Sequence, residues 1–85
     1  MAKLIPAAER VVRARALIQK ARDLPVPTEG GKYNLHYMAQ VKDYLRQARE
    51  LVKLIPLMVG IADETKEAAK QVMIEAKQAN KEILH

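Results

Sequence analysis

Glu82-Ile83-Leu84-His85 sets a carboxylate and an imidazole three residues apart, the interval that puts both on one helix face in di-iron sites of helical bundles. Such sites also draw glutamates from facing helices. Glu50, the acidic residue deepest in the second helical segment, is flanked by Arg49 and Lys53 on a polar side, and the Glu-x-x-His interval occurs once. Only a symmetric oligomer would supply the missing ligands, so no metal site is assigned.

Nucleophilic catalysis needs a hydroxyl or thiol within reach of a histidine that a third group orients. The chain has neither Ser nor Cys, and its threonines are Thr28, in a Pro/Gly loop, and Thr65, where a small half-polar residue packs on a helix stripe. His36 and His85 fall at a helix start and at the last position, where imidazoles are solvated. Gly30-Gly31-Lys32 superficially suggests a phosphate loop, but such a loop follows a strand and continues with Ser or Thr, whereas Tyr33 comes next here. Asp63, Glu64 and Glu67 form an acidic cluster of the kind that compensates a helix dipole. No catalytic residue, cofactor or small-molecule substrate follows from these residues, and the chain reads as non-enzymatic.

Two patterns suit binding instead. Lys42, Arg46, Arg49 and Lys53 recur at i, i+4, i+7 and i+11, a basic stripe able to track a phosphate backbone. Asp43 and Glu50 lie within intrahelical reach of Arg46 and Lys53, so the same stripe also reads as a solubilising flank of an apolar seam. The second pattern is the nine-residue uncharged run from Leu54 to Ala62, far more apolar than a solvent-facing turn needs to be. Leu54, Leu57, Met58 and Ile61 are its candidate interface residues: either they cap their own bundle or another chain covers them.

The elements that position these residues are helical. Pro25-Val26-Pro27-Thr28-Glu29-Gly30-Gly31 forbids regular structure and separates helix one from helix two, while Pro56 and Gly60 mark a second break. Between the breaks the apolar residues repeat at helical spacing: Ala7, Val11, Ala14, Ile18 and Ala21, then Met38, Val41, Leu45, Ala48, Val52 and Ile55, then Ala62, Thr65, Ala69, Val72, Ala76, Ala79 and Ile83. Tyr37, Tyr44 and Leu51 widen the second stripe. The reading is one all-α domain over residues 1–85, with helices near 6–24, 35–55 and 62–84 and a loop at 25–33. Pro6 suits the first helical position and Asn34 the N-cap of helix two, while helix three starts anywhere from Pro56 to Asp63.

Three helices of similar length pack best as an antiparallel bundle, here expected to associate into a larger one. Helices two and three forming an intermolecular four-helix bundle, with helix one outside, is the second arrangement considered. Small residues on helices one and three imply that those two approach closely. Lys3-Leu4-Ile5-Pro6 recurs as Lys53-Leu54-Ile55-Pro56, and Ala21-Arg22-Asp23-Leu24 is echoed from Ala48, but the two offsets differ, whereas a duplication keeps one period.

With 13 alanines and no Phe or Trp, the core is thin for an 85-residue chain, which favours a partner surface. The absence of cysteine removes disulfides and thiol chemistry and leaves the cytoplasm as the expected location. The amino terminus meets Pro6 and Glu9-Arg10 before any secretory core, so it reads as a mature start, and no run approaches the roughly twenty residues of a membrane span. Net charge is +5, concentrated by sequence in helices one and two. The expected role is assembly with itself or with another helical protein through apolar faces. The alternative is a small basic nucleic-acid-binding protein, and heparin or DNA retention that falls steeply with salt separates the two.

Overall fold

The backbone of Pro6, at ψ 147°, lies outside helical geometry, but its carbonyl accepts from the Arg10 amide at 3.0 Å, so this proline is the cap and not the first helical residue. In the computed structural model, which describes residues 6–84, α1 then runs Ala7–Asp23, α2 Leu35–Val52 and α3 Asp63–Leu84. Single 3-10 turns at Gly31–Tyr33 and Ile55–Leu57 precede α2 and follow it. The described residues form three helices and no strand, an all-α fold. None of these helices is long and apolar enough to cross a membrane.

Each boundary has a local cause. Asn34 caps α2 as expected: its side-chain oxygen accepts from the Tyr37 amide at 3.1 Å, and its amide group donates to the Glu29 carbonyl at 3.1 Å. One side chain thus starts the helix and pins the preceding loop. Within that loop Gly30, at φ +78°, turns the chain into the 3-10 segment where the Tyr33 and Asn34 amides donate to the Gly30 and Gly31 carbonyls.

The expected α2 end at Ile55 is three residues too late. Proline at 56 has no amide to donate, and its ring would meet the Val52 carbonyl, so the α-helix stops at Val52. Bonds to the third residue back take over, from the Leu57 amide to the Leu54 carbonyl and from Met58 to Ile55, both at 3.0 Å. Gly60, at φ +81°, redirects the chain. The Ala62 carbonyl then accepts from the Thr65 and Lys66 amides, which makes Asp63 the first residue of α3 and not its cap.

Helix direction follows from cross-helix contacts. Arg15 faces Glu75 and Arg22 faces Glu82, so equal steps along α1 and α3 keep the pairing and the two run parallel. Asn80 near the end of α3 shares a cleft with Lys42, Arg46 and Arg49 of α2, and the 3-10 turn after α2 packs on α3, so α2 runs against it. The arrangement is up, down, up.

All five stripe residues of α1 are buried, as are Val41, Leu45, Ala48, Val52 and Ile55 of the second segment and Ala69, Val72, Ala76 and Ala79 of α3. Tyr37 takes the buried place expected of Met38, and Ala62 at the start of the third stripe is exposed. The most extensive contact joins α1 and α2 and the least extensive joins α1 and α3, contrary to the expectation drawn from their alanines. The small residues of α1 therefore admit the bulkier side chains of α2. Across the α1–α3 seam two exposed arginine–glutamate pairs, at 3.5 and 2.6 Å, join the rims.

Three outcomes are expected from this packing. Ala76→Leu, in a fully buried position, should overpack and lower stability by about 1–3 kcal/mol in urea unfolding, while Leu at exposed Gln78 should change little. Asn34→Ala should cost about 1 kcal/mol through the lost cap. The Arg22 hydrogen bond, more than its charge, holds the Glu82 carboxyl below its ordinary value of 4.5, so the pair stabilises the fold above the carboxylate range and loses its effect as pH falls through that lowered value. The melting temperature of wild type should accordingly exceed that of Glu82→Gln at neutral pH, with the gap closing in acid. A gap of constant size would show that the pair is not its source.

Candidate interaction surfaces

The uncharged run from Leu54 to Ala62 divides by residue. Ile55 is fully buried, and Met58 and Ile61 pack against the core, so these side chains close the end of their own bundle. Leu54, Leu57 and Val59 point outward and are 57%, 79% and 97% exposed. The split follows from the backbone: the tight turn around Pro56 and the extended residue Met58 alternate inward and outward directions, and Gly60 then turns the chain toward α3. Of the candidate interface, Leu54 and Leu57 are therefore available to a partner, whereas Met58 and Ile61 are largely committed within the monomer. Val59 belongs to the exposed set, although the helical pattern assigned it no role; its place just before a turn glycine in an uncharged run was the available signal.

A second group of exposed apolar residues, Val26, Tyr33 and Leu35, lies in and after the α1–α2 loop. It is interrupted by Glu29, Lys32 and His36, and the Lys32 ammonium sits 5.5 Å above the Tyr33 ring. The Leu54–Val59 end has no such interruption.

The basic stripe lies on α2 as its spacing implies, with Lys42, Arg46 and Lys53 exposed and Arg49 half-buried. Arg46 donates to Asp43 at 2.7 Å, and Lys53 pairs with Glu50 at 2.7 Å. Hydrogen bonds from Arg46 and then Gln47 hold the Asp43 carboxyl below its usual range, and the Lys53 hydrogen bond does the same for Glu50. Lys42 and Arg49 have no ion-pair partner among the described residues.

On α1, by contrast, Arg13, Arg15 and Arg22 each meet a glutamate, the last two across the seam to α3. The expectation that helices one and two hold the basic surface is modified at Arg15 and Arg22, whose charges meet glutamates of α3. Arg15 and Arg22 are paired through tertiary contacts that sequence neighbours do not reveal, while Lys66, Lys77 and Lys81 of α3 carry no ion pair among the described residues.

The residues considered for chemistry are not brought together. Thr28 and His36 are exposed in and after the loop, and Thr65 lies in the first turn of α3 beside Ala8 and Val11. Glu82 accepts hydrogen bonds from Arg22 at 2.6 Å and Gln78 at 3.2 Å. His85, and with it the second half of the Glu-x-x-His interval, lies outside the described residues, as do Lys3, Leu4 and Ile5 of the repeated tetrapeptide and the first residues read as a mature start. Among the described residues no three His, Asp or Glu side chains group as metal ligands would. No protein-family model, curated protein or solved structure matches the chain.

Proposed function

We propose that the protein is a non-enzymatic, cytoplasmic assembly module that associates with a second copy of itself through the bundle end formed by Leu54, Leu57 and Val59. The observation that carries this reading is an uncharged turn presenting three large aliphatic side chains to solvent, one of them almost wholly exposed. Covering each such side chain contributes roughly 1.5–3 kcal/mol, and a thin alanine-rich core gives the isolated chain little stability with which to offset leaving them in water.

A second copy is the favoured occupant because a two-fold contact needs one self-complementary patch. This chain carries such a patch in Leu54, Leu57 and Val59, none of which bears a charge. Ile55, Met58 and Ile61 support it from within by fixing the turn on the core. The larger helical bundle is then two three-helix units joined at this end.

Met58→Asp is a poor test, since Met58 packs within the monomer and its loss should lower stability in any case. Leu57→Asp separates the two effects. The wild type should sediment above monomer mass at high micromolar concentration, and Leu57→Asp should sediment as a monomer with unchanged helical circular dichroism. A wild type that stays monomeric at that concentration would remove self-association and leave a different apolar partner as the occupant of the turn.

A further inference from the structure

The seam between α1 and α2 carries a groove that no residue of α3 lines. Two adjoining hollows of about 330 and 440 Å³ share Leu17 and Leu51 and so form one channel between the two antiparallel helices. Half-buried Leu17 and Leu51 and exposed Ala16 make its floor. Arg13 and Lys20 of α1 line one hollow, and Arg10 of α1 and Arg46 of α2 line the other. The one acid of the lining is Glu50, which Lys53 already holds at 2.7 Å.

The flank of α1 that faces α3 shows what such a row of cations receives. There Arg15 and Arg22, seven residues apart, meet Glu75 and Glu82, also seven apart, on a parallel helix. Arg13 and Lys20 repeat that interval, about 10 Å along the helix axis, on the groove side. Lys20 has no ion pair among the described residues, and Arg13 meets Glu9 of its own helix in an exposed pair that contributes little and is readily exchanged.

We infer that the α1–α2 groove receives an acidic amphipathic helix of another protein, with apolar side chains on Leu17 and Leu51 and carboxylates seven residues apart on Arg13 and Lys20. The floor selects protein over nucleic acid, because a phosphate backbone has nothing apolar to lay on the two leucines and would meet Glu50 on the α2 wall, a position a helix can leave uncharged. A helix is favoured over an extended segment because the described residues offer no strand to extend, and a helix satisfies its own backbone. A second copy of this chain does not fit. Its acids without an ion pair among the described residues are Asp23, Glu29, Asp63 and Glu64, and no two of these lie seven apart on one helix. The groove is separate from the apolar turn, and the inference stands whether or not that turn joins two copies.

The test is fluorescence anisotropy at about 50 mM salt with a labelled heptad peptide bearing Leu at positions a and d and Glu at e and g, which is kept from pairing with itself by its own charge. Wild type should bind this peptide at protein concentrations up to about 100 μM, and a peptide with the same Glu positions but Gln for Leu should bind about tenfold or more weakly. Arg13→Gln/Lys20→Gln should lose about tenfold in affinity for the Leu/Glu peptide, while Lys77→Gln/Lys81→Gln on α3, of equal charge change, should stay within about twofold of wild type. Circular dichroism checks that each variant is folded. Leu57→Asp should bind as wild type does, and a loss there would place the peptide at the apolar turn and overturn the inference. Absence of binding by wild type would overturn it, as would equal losses in the two double variants or equal affinity for the two peptides. Displacement of the peptide by duplex DNA at lower charge concentration than by unlabelled Leu/Glu peptide would overturn it in favour of nucleic acid.

Discussion

Fifteen side chains make up the buried core of the described residues, and seven of them are alanine. With so little volume per position, apolar contact is gained only when helix backbones come close together, and the geometry of the bundle depends on that approach. The bulky members are few, Leu45, Ile55, Ile18, Tyr37 and the valines, and they come mainly from the second segment. Around them a half-buried layer including Leu17, Tyr44, Leu51, Met58, Ile61 and Met73 closes the gaps. No polar side-chain atom is buried without a hydrogen bond among the described residues, so polar desolvation does not erode the modest apolar gain.

A core of this kind leaves the ends and rims to complete the structure, and they do so by different means. At the loop end, hydrogen bonds converge on Asn34 and turn a Pro/Gly segment into an ordered entry to α2. The other turn, residues 54–62, holds no charged side chain, and closure comes from Ile55, Met58 and Ile61 folding back on the core. The cost of that solution is the outward direction of Leu54, Leu57 and Val59, since a tight turn cannot point successive side chains all one way. Monomer capping and an exposed apolar surface are thus two aspects of one turn.

Along the rims, α3 links the two charge patterns. Its Glu75 and Glu82 meet α1, Glu67 pairs with Lys70 on the helix itself, and Lys77 and Lys81 lie with Ile74 on its outer surface. Exposed pairs of this kind contribute little to stability, and their larger consequence is where they leave the net charge. With Arg15 and Arg22 engaged, the cations without an ion pair among the described residues include Lys20 on α1, Lys42 and Arg49 on α2, and Lys66, Lys77 and Lys81 on α3.

Much of this molecule is local and was legible in its residues. Helical spacing identified the three elements and nearly every buried position, Asn34 announced its cap, and Pro56 and Gly60 announced a break, because capping and proline sterics act within a few residues. The end of α2 at Val52 was missed because the clash with proline falls four residues upstream, although Ile55 stayed buried after the helix had ended. What only the tertiary structure decided is relational. Sequence composition put the excess charge in helices one and two, but Arg15 and Arg22 meet glutamates sixty residues away on α3. The uncharged run likewise gave no sign that Met58 and Ile61 turn inward while Leu57 and Val59 turn out. Periodicity reports which face of a helix is apolar, but the rotation of one helix against another depends on packing between segments remote in sequence, and that rotation determines which charges are paired and which apolar side chains remain in water.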